Sequence, residues 1–116
     1  MVPVPSTVAP SRELEAILAA NIPPDQLARL TGRSERTARR WLAGDTAPRG
    51  AARRQLVEIS AVLEEYAKAF PGGNASSWIE RPNPEFDFRS AADLIAEGRT
   101  REVLGLLTAL GEGAYL

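Results

Sequence analysis

The chain has 116 residues, 44% hydrophobic and 25% charged, with a formal net charge of −1, which fits one domain or two very small ones sharing a core. Cysteine and histidine are both absent, so disulfides and thiolate metal sites are excluded, and the commonest general base and transition-metal ligand are missing. Residues 1–54 carry nine arginines against five acids, and residues 55–116 carry five basic and ten acidic side chains; a basic half joined to an acidic half points to two kinds of partner, the first nucleic acid.

The opening "MVPVPSTVAP" has no positive n-region and no unbroken apolar run, so it is not a secretory signal. Its prolines predict a flexible, extended arm over residues 1–10. No apolar stretch approaches the ~20 residues needed to cross a bilayer, and a cytoplasmic protein with no membrane contact is expected. Ser11 is a good N-cap, and Leu14, Ile17 and Leu18 give the apolar face of a short helix running to about Ala20. A second helix opens at Pro24 and Asp25, buries Leu27, Ala28 and Leu30, and ends at Gly32. Ser34 caps a third, which stops at Gly44.

"GDTAPRG" is loop chemistry. A longer helix over residues 51–70 follows, with Leu56, Ile59, Leu63, Tyr66 and Phe70 spaced alternately by three and four. That seam is core, or a surface for pairing with a second copy. Asn74 can cap a short helix carrying Trp78 and Ile79, and "RPNPEFDF" reads as an ordered connector, too rich in proline for helix interior. Ser90 with Asp93 resembles a capping box for the next short helix, which ends at Gly98. Thr100 caps a last helix with Val103, Leu104, Leu106, Leu107 and Leu110 inward. No segment alternates as a strand, so the chain is all-α. No catalytic constellation emerges: Lys68 is the only lysine, no serine nucleophile stands beside it, and no cofactor or metal is expected.

The segment from Ile22 to Leu42 has helix-turn-helix spacing, with small Ala28 at the close approach, Gly32 in the turn, and Ala38 and Trp41 as the inner face of the second helix. Glu35, Arg36, Arg39 and Arg40 are then left outward, with Ser34 at the helix N-terminus, which favours phosphate. Like charges crowded on one helix weaken it unless an anion lies opposite. Arginine can hold guanine O6 and N7 bidentately, so Arg36, Arg39 and Arg40 suit base reading, whereas Arg49, Arg53 and Arg54 at the start of the next helix suit phosphates. The competing reading is an arginine-rich solvent face on a structural hairpin.

"LARLTGRSERTARRWLAG" resembles the Xre family of helix-turn-helix regulators, whose recognition helix commonly ends in Trp before a short Gly-containing turn; Trp41 and Gly44 stand in those places. Farther on, Trp78, Pro82-Asn83, Leu94-Ile95, Gly98, and Val103 with Leu107 form a string similar to the toxin-binding domain of the MbcA/ParS/Xre antitoxins. Ala91 departs from that pattern, since relatives often carry proline there. The resemblance implies an N-terminal Xre-like helix-turn-helix bundle, residues 11–70, followed by a small helical toxin-binding domain, residues 71–116. It further implies a RES-domain toxin that destroys NAD, neutralised by binding near its active site, and autorepression through operator DNA.

On this resemblance the toxin contact falls to Trp78, Asn83, Arg99, Arg101, Glu112, Tyr115 and Leu116. The last two follow glycines that let the chain leave its helix, and an apolar end gains free energy only when covered. A homodimer, matching a palindromic operator, and a larger hetero-oligomer with toxin are expected. The alternative is a stand-alone repressor whose C-terminal half only dimerises.

Overall fold

Several of the helices begin where a side chain accepts an otherwise orphaned N–H. In the computed structural model, which describes residues 11–113, the Leu14 N–H donates to Ser11 Oγ at 3.3 Å and opens α1 (Arg12–Ala19). Leu14 and Ile17 are buried, but Leu18, expected beside them, is 43% exposed. One residue is about 100° of helix rotation, and α1 turns only a narrow stripe to the core. In α2 (Pro24–Thr31) proline fills the first turn, where no N–H is needed, and Gly32 ends the helix at φ 69°, a left-handed conformation that side chains resist. In α3 (Glu35–Ala43) the Thr37 N–H donates to Ser34 Oγ at 3.1 Å, and Gly44 terminates the helix.

The long helix α4 (Gly50–Ala69) buries Leu56, Ile59, Leu63 and Tyr66. Its seam packs against α1 on one side and, on another, against the last helix, α7 (Thr100–Gly111). The seam therefore serves this chain's own core and is not a free pairing surface; of its five residues only Phe70 is exposed. Tyr66, Phe70 and Trp78 cluster with ring centroids 5.1 to 6.3 Å apart. Gly73 lies so close that a Cβ there would fall 2.4 Å from the Tyr66 hydroxyl.

Asn74 caps α5 (Ala75–Trp78) through the Ser77 N–H at 3.0 Å. The proline-rich connector is ordered, and it also contains what the sequence does not announce. Strand β1 (Pro82–Asn83) pairs antiparallel with β2 (Arg89–Ser90) around a single 3₁₀ turn, Pro84–Phe86. Two residues per strand are too few to show alternation. A full capping box opens α6 (Ala91–Ala96): the Asp93 N–H donates to Ser90 Oγ, and the Ser90 N–H donates back to Asp93 Oδ2. Thr100, expected as the cap of α7, is instead its first helical residue and is buried, while Arg99 holds the cap position without a side-chain bond. The turn through Gly98 already ties the Arg99 N–H to Leu94 O at 2.8 Å, so helical geometry sets in early.

One hydrophobic cluster runs from Leu14 through Trp41 and Leu56 to Leu94 and Leu107. A polar clip joins the halves as well. Buried Gln26 donates through Nε2 to Ser76 O at 2.9 Å and to Glu80 at 2.7 Å, while its Oε1 accepts from Ser76 Oγ at 2.8 Å. The architecture is all-α apart from the two-residue ladder.

Candidate functional site

Burying Ala38 and Trp41 fixes the rotation of α3, leaving Ser34, Glu35, Arg36, Arg39 and Arg40 exposed. The structure thus brings the three candidate base-reading arginines onto one nine-residue helix. Arg39 pairs with Glu35 one turn back, whereas Arg36 and Arg40 form no ion pair among the described residues. The Ser34 hydroxyl is spent on Thr37, accepting from its N–H and lying 2.9 Å from its Oγ1. Any anion at this helix end would meet backbone N–H groups and not that hydroxyl.

The second arginine group sits at the N-terminal end of α4. Arg49 occupies the cap position, and Arg54 is exposed with no ion pair among the described residues. Arg53 differs. It lines a cavity of about 180 Å³ with Ser11, Glu13, Trp41 and Thr46. The Glu13 carboxyl is held below its ordinary pKa, chiefly by a hydrogen bond from its own backbone N–H, with Arg53 among the smaller contributors. Arg53 itself forms no ion pair among the described residues. The structure adds Arg33, exposed in the turn just before the Ser34 cap. Its place in "GRSER" is the signal that could have found it.

The candidate partner residues fall into two groups. Trp78 is half-buried against Tyr66, which makes it chiefly a core residue. Asn83, half-buried, accepts the Glu85 N–H at 2.9 Å and so shapes the hairpin. Arg99 holds Glu102 bidentately, Nε to Oε2 at 2.6 Å and Nη2 to Oε1 at 2.8 Å. That grip raises the Arg99 pKa and lowers that of Glu102. Ion pairs Arg89–Glu97 and Arg99–Glu97 continue the chain, so Asn83 and Arg99 belong to one connected patch spanning the hairpin and the start of α7. Arg101 and Glu112 are exposed at the two ends of α7. Tyr115 and Leu116, like the arm over residues 1–10, lie outside the described residues. Phe88, which no sequence motif singles out, is 71% exposed at the hairpin tip.

Among the described residues, no group of His, Cys, Asp or Glu is placed to hold a metal ion, and no helix is long and apolar enough to cross a membrane. No protein-family model matches the sequence. The chain is 32% identical over 83 residues to the mycobacterial cidal antitoxin MbcA of Mycobacterium bovis and, equally, to that of Mycobacterium tuberculosis. The matched region covers 72% of this chain and 74% of each relative. The fold is similar to a chain in the crystal structure of the M. tuberculosis MbcT–MbcA toxin–antitoxin complex, with a TM-score of 0.77 and 28% identity, covering 90% of this chain and 95% of that one. Extent, identity and fold agree: the chain belongs to the MbcA family of antitoxins, regulatory proteins and not enzymes.

Proposed function

We propose that this antitoxin binds and neutralises a RES-domain toxin that degrades NAD, and that it represses its own operon by seating α3 in the major groove of operator DNA. The carrying observation for the toxin is the likeness, over 90% of the chain, to a chain of a toxin–antitoxin complex. The DNA reading is supported by the outward arginines of α3, stacked above a buried Ala38 and Trp41. Residues 11–70 read DNA and residues 71–116 meet the toxin, in the cytoplasm, with no cofactor. The protein pairs with a second copy and forms a larger assembly with toxin.

The test is NAD consumption by purified cognate toxin, titrated with the antitoxin, beside titrations of operator and random duplexes. Consumption should stop at a fixed stoichiometry, and operator should bind roughly a thousandfold tighter than random DNA. Undiminished NAD loss removes the toxin half of the proposal; equal affinity for both duplexes removes the repressor half. The same assay decides the tail: deleting residues 114–116 should impair inhibition and spare operator binding.

A further inference from the structure

The tip of the β1–β2 hairpin spends free energy to hold an aromatic ring in water. Asp87 and Phe88 both lie in the left-handed region, at φ 54° and 64°. A bulky aromatic there is a backbone outlier, held against a steric penalty. The conformation is pinned from three sides. The Phe88 N–H donates to Asn83 O at 2.9 Å, the Asp87 N–H donates to Pro84 O at 3.2 Å, and Asn83 opposes Arg89 in the ladder. The fold gains little in return, because Phe88 is 71% exposed, the most exposed large hydrophobic side chain among the described residues. Neighbouring Phe86 behaves differently: it packs partly buried against the core. A glycine at 88 would satisfy the turn without strain.

Charge around the tip is uneven. Arg89 and Arg99 are engaged by Glu97 and Glu102, whereas Glu85 and Asp87, exposed on either side of Phe86, form no ion pair among the described residues. The tip therefore offers one apolar ring beside two exposed carboxylates, of which Asp87 lies near enough to Arg99 to help raise its pKa. It is continuous with Asn83 and Arg99, residues that the resemblance to the antitoxin family proposes for the toxin contact.

We propose that Phe88 is the anchor by which this antitoxin grips its toxin, entering an apolar socket edged with basic groups. This rests on the proposed function and adds a site to it. A strained turn that exposes an aromatic is selected for what the ring does in a complex, since buried aromatic anchors dominate interface energetics. Glu85 and Asp87 supply complementary charge at the rim, which governs encounter and register more than affinity.

The test uses the full chain and purified cognate toxin. Phe88→Gly and Phe88→Asn relieve the strain, since both residues tolerate φ > 0. Phe88→Tyr keeps the ring. The glycine and asparagine variants should raise the thermal midpoint of the free antitoxin by a few degrees. They should also weaken toxin binding roughly thirtyfold or more, while operator affinity stays unchanged and Phe88→Tyr retains most toxin binding. A ring with a purely structural role predicts the reverse: a lower midpoint and unchanged toxin affinity. If wild type inhibits the toxin and both strain-relieving variants inhibit it equally well, the anchor is overturned and the proposed function stands. If the wild-type protein itself leaves the toxin active, both fall together. If the variants instead shift the sedimentation of the free antitoxin, Phe88 covers a second copy and the toxin assignment is overturned.

Discussion

Arg39 and Glu35 are held together only weakly. Their side chains are 65% and 48% exposed, and exposed pairs one helical turn apart contribute about 0.3–0.5 kcal/mol. A guanine edge can take Arg39 from Glu35 at small cost, and Arg40 needs no release. Arg39→Ala and Arg40→Ala should each weaken operator binding by about 1–3 kcal/mol. Glu35→Gln should strengthen binding to operator and random duplex alike, by up to roughly 1 kcal/mol, because it removes a carboxylate from the surface proposed to face the phosphates. Arg54→Ala should weaken both duplexes and reduce the salt slope by about one. Arg53→Ala should do so less, because Arg53 already faces Glu13. Titrations of both duplexes at several salt concentrations separate these outcomes. If both α3 variants leave operator affinity unchanged, α3 does not read bases.

The four side-chain caps that sequence alone located, at Ser11, Ser34, Asn74 and Ser90, share one property: the cap is a bond across three residues. Such bonds are legible because both partners are adjacent in the chain. What escaped depended on packing and turn geometry that no cap or spacing rule encodes. Thr100 is drawn into the core instead of capping, Leu18 misses the core although its spacing is correct, and the ladder rests on pairing across the turn. Phe88 was invisible for a related reason, since no local rule puts phenylalanine at positive φ. The outward arginines were legible because burying Ala38 and Trp41 settles the rotation of α3. The Ser90–Asp93 box also predicts a pH effect. Hydrogen bonds from the Ser90 backbone and then its side chain hold the Asp93 carboxyl below its ordinary pKa. With the folded pKa depressed, the stabilisation is complete above the unfolded value and is lost as pH falls through the folded one. Urea midpoints at neutral pH and on the acid limb should therefore show Asp93→Asn less acid-sensitive than wild type. Identical acid limbs would assign that sensitivity to other carboxylates.

The two proposed functions occupy different surfaces of one interior. Helix α4, which begins beside the arginines proposed to face DNA, packs along α7, and α2 packs on α6. Gln26 and Arg29 of α2 reach Glu80 across the boundary between the proposed domains. Removing everything after residue 70 would strip α7 from α4 and uncover apolar surface, so the halves are better separated by point substitutions than by truncation. The chain places a tryptophan in each half, Trp41 buried under α3 and Trp78 half-buried beside Tyr66. Trp78→Phe leaves Trp41 as the sole reporter and Trp41→Phe leaves Trp78. If the interior is one cooperative unit, neither reporter should detect an intermediate, and each variant's fluorescence midpoint should match its own circular-dichroism midpoint. Leu107 is fully buried in α7, and Leu107→Ala should cost about 2–5 kcal/mol, a large share of the ~5–15 kcal/mol typical of native proteins. In a single unit that loss reaches the far end of the molecule, so Leu107→Ala should lower the Trp41 midpoint as much as the Trp78 midpoint. A Trp41 transition that stayed in place while the Trp78 transition dropped would show the DNA-facing half folding by itself, and the shared core would not couple the two surfaces.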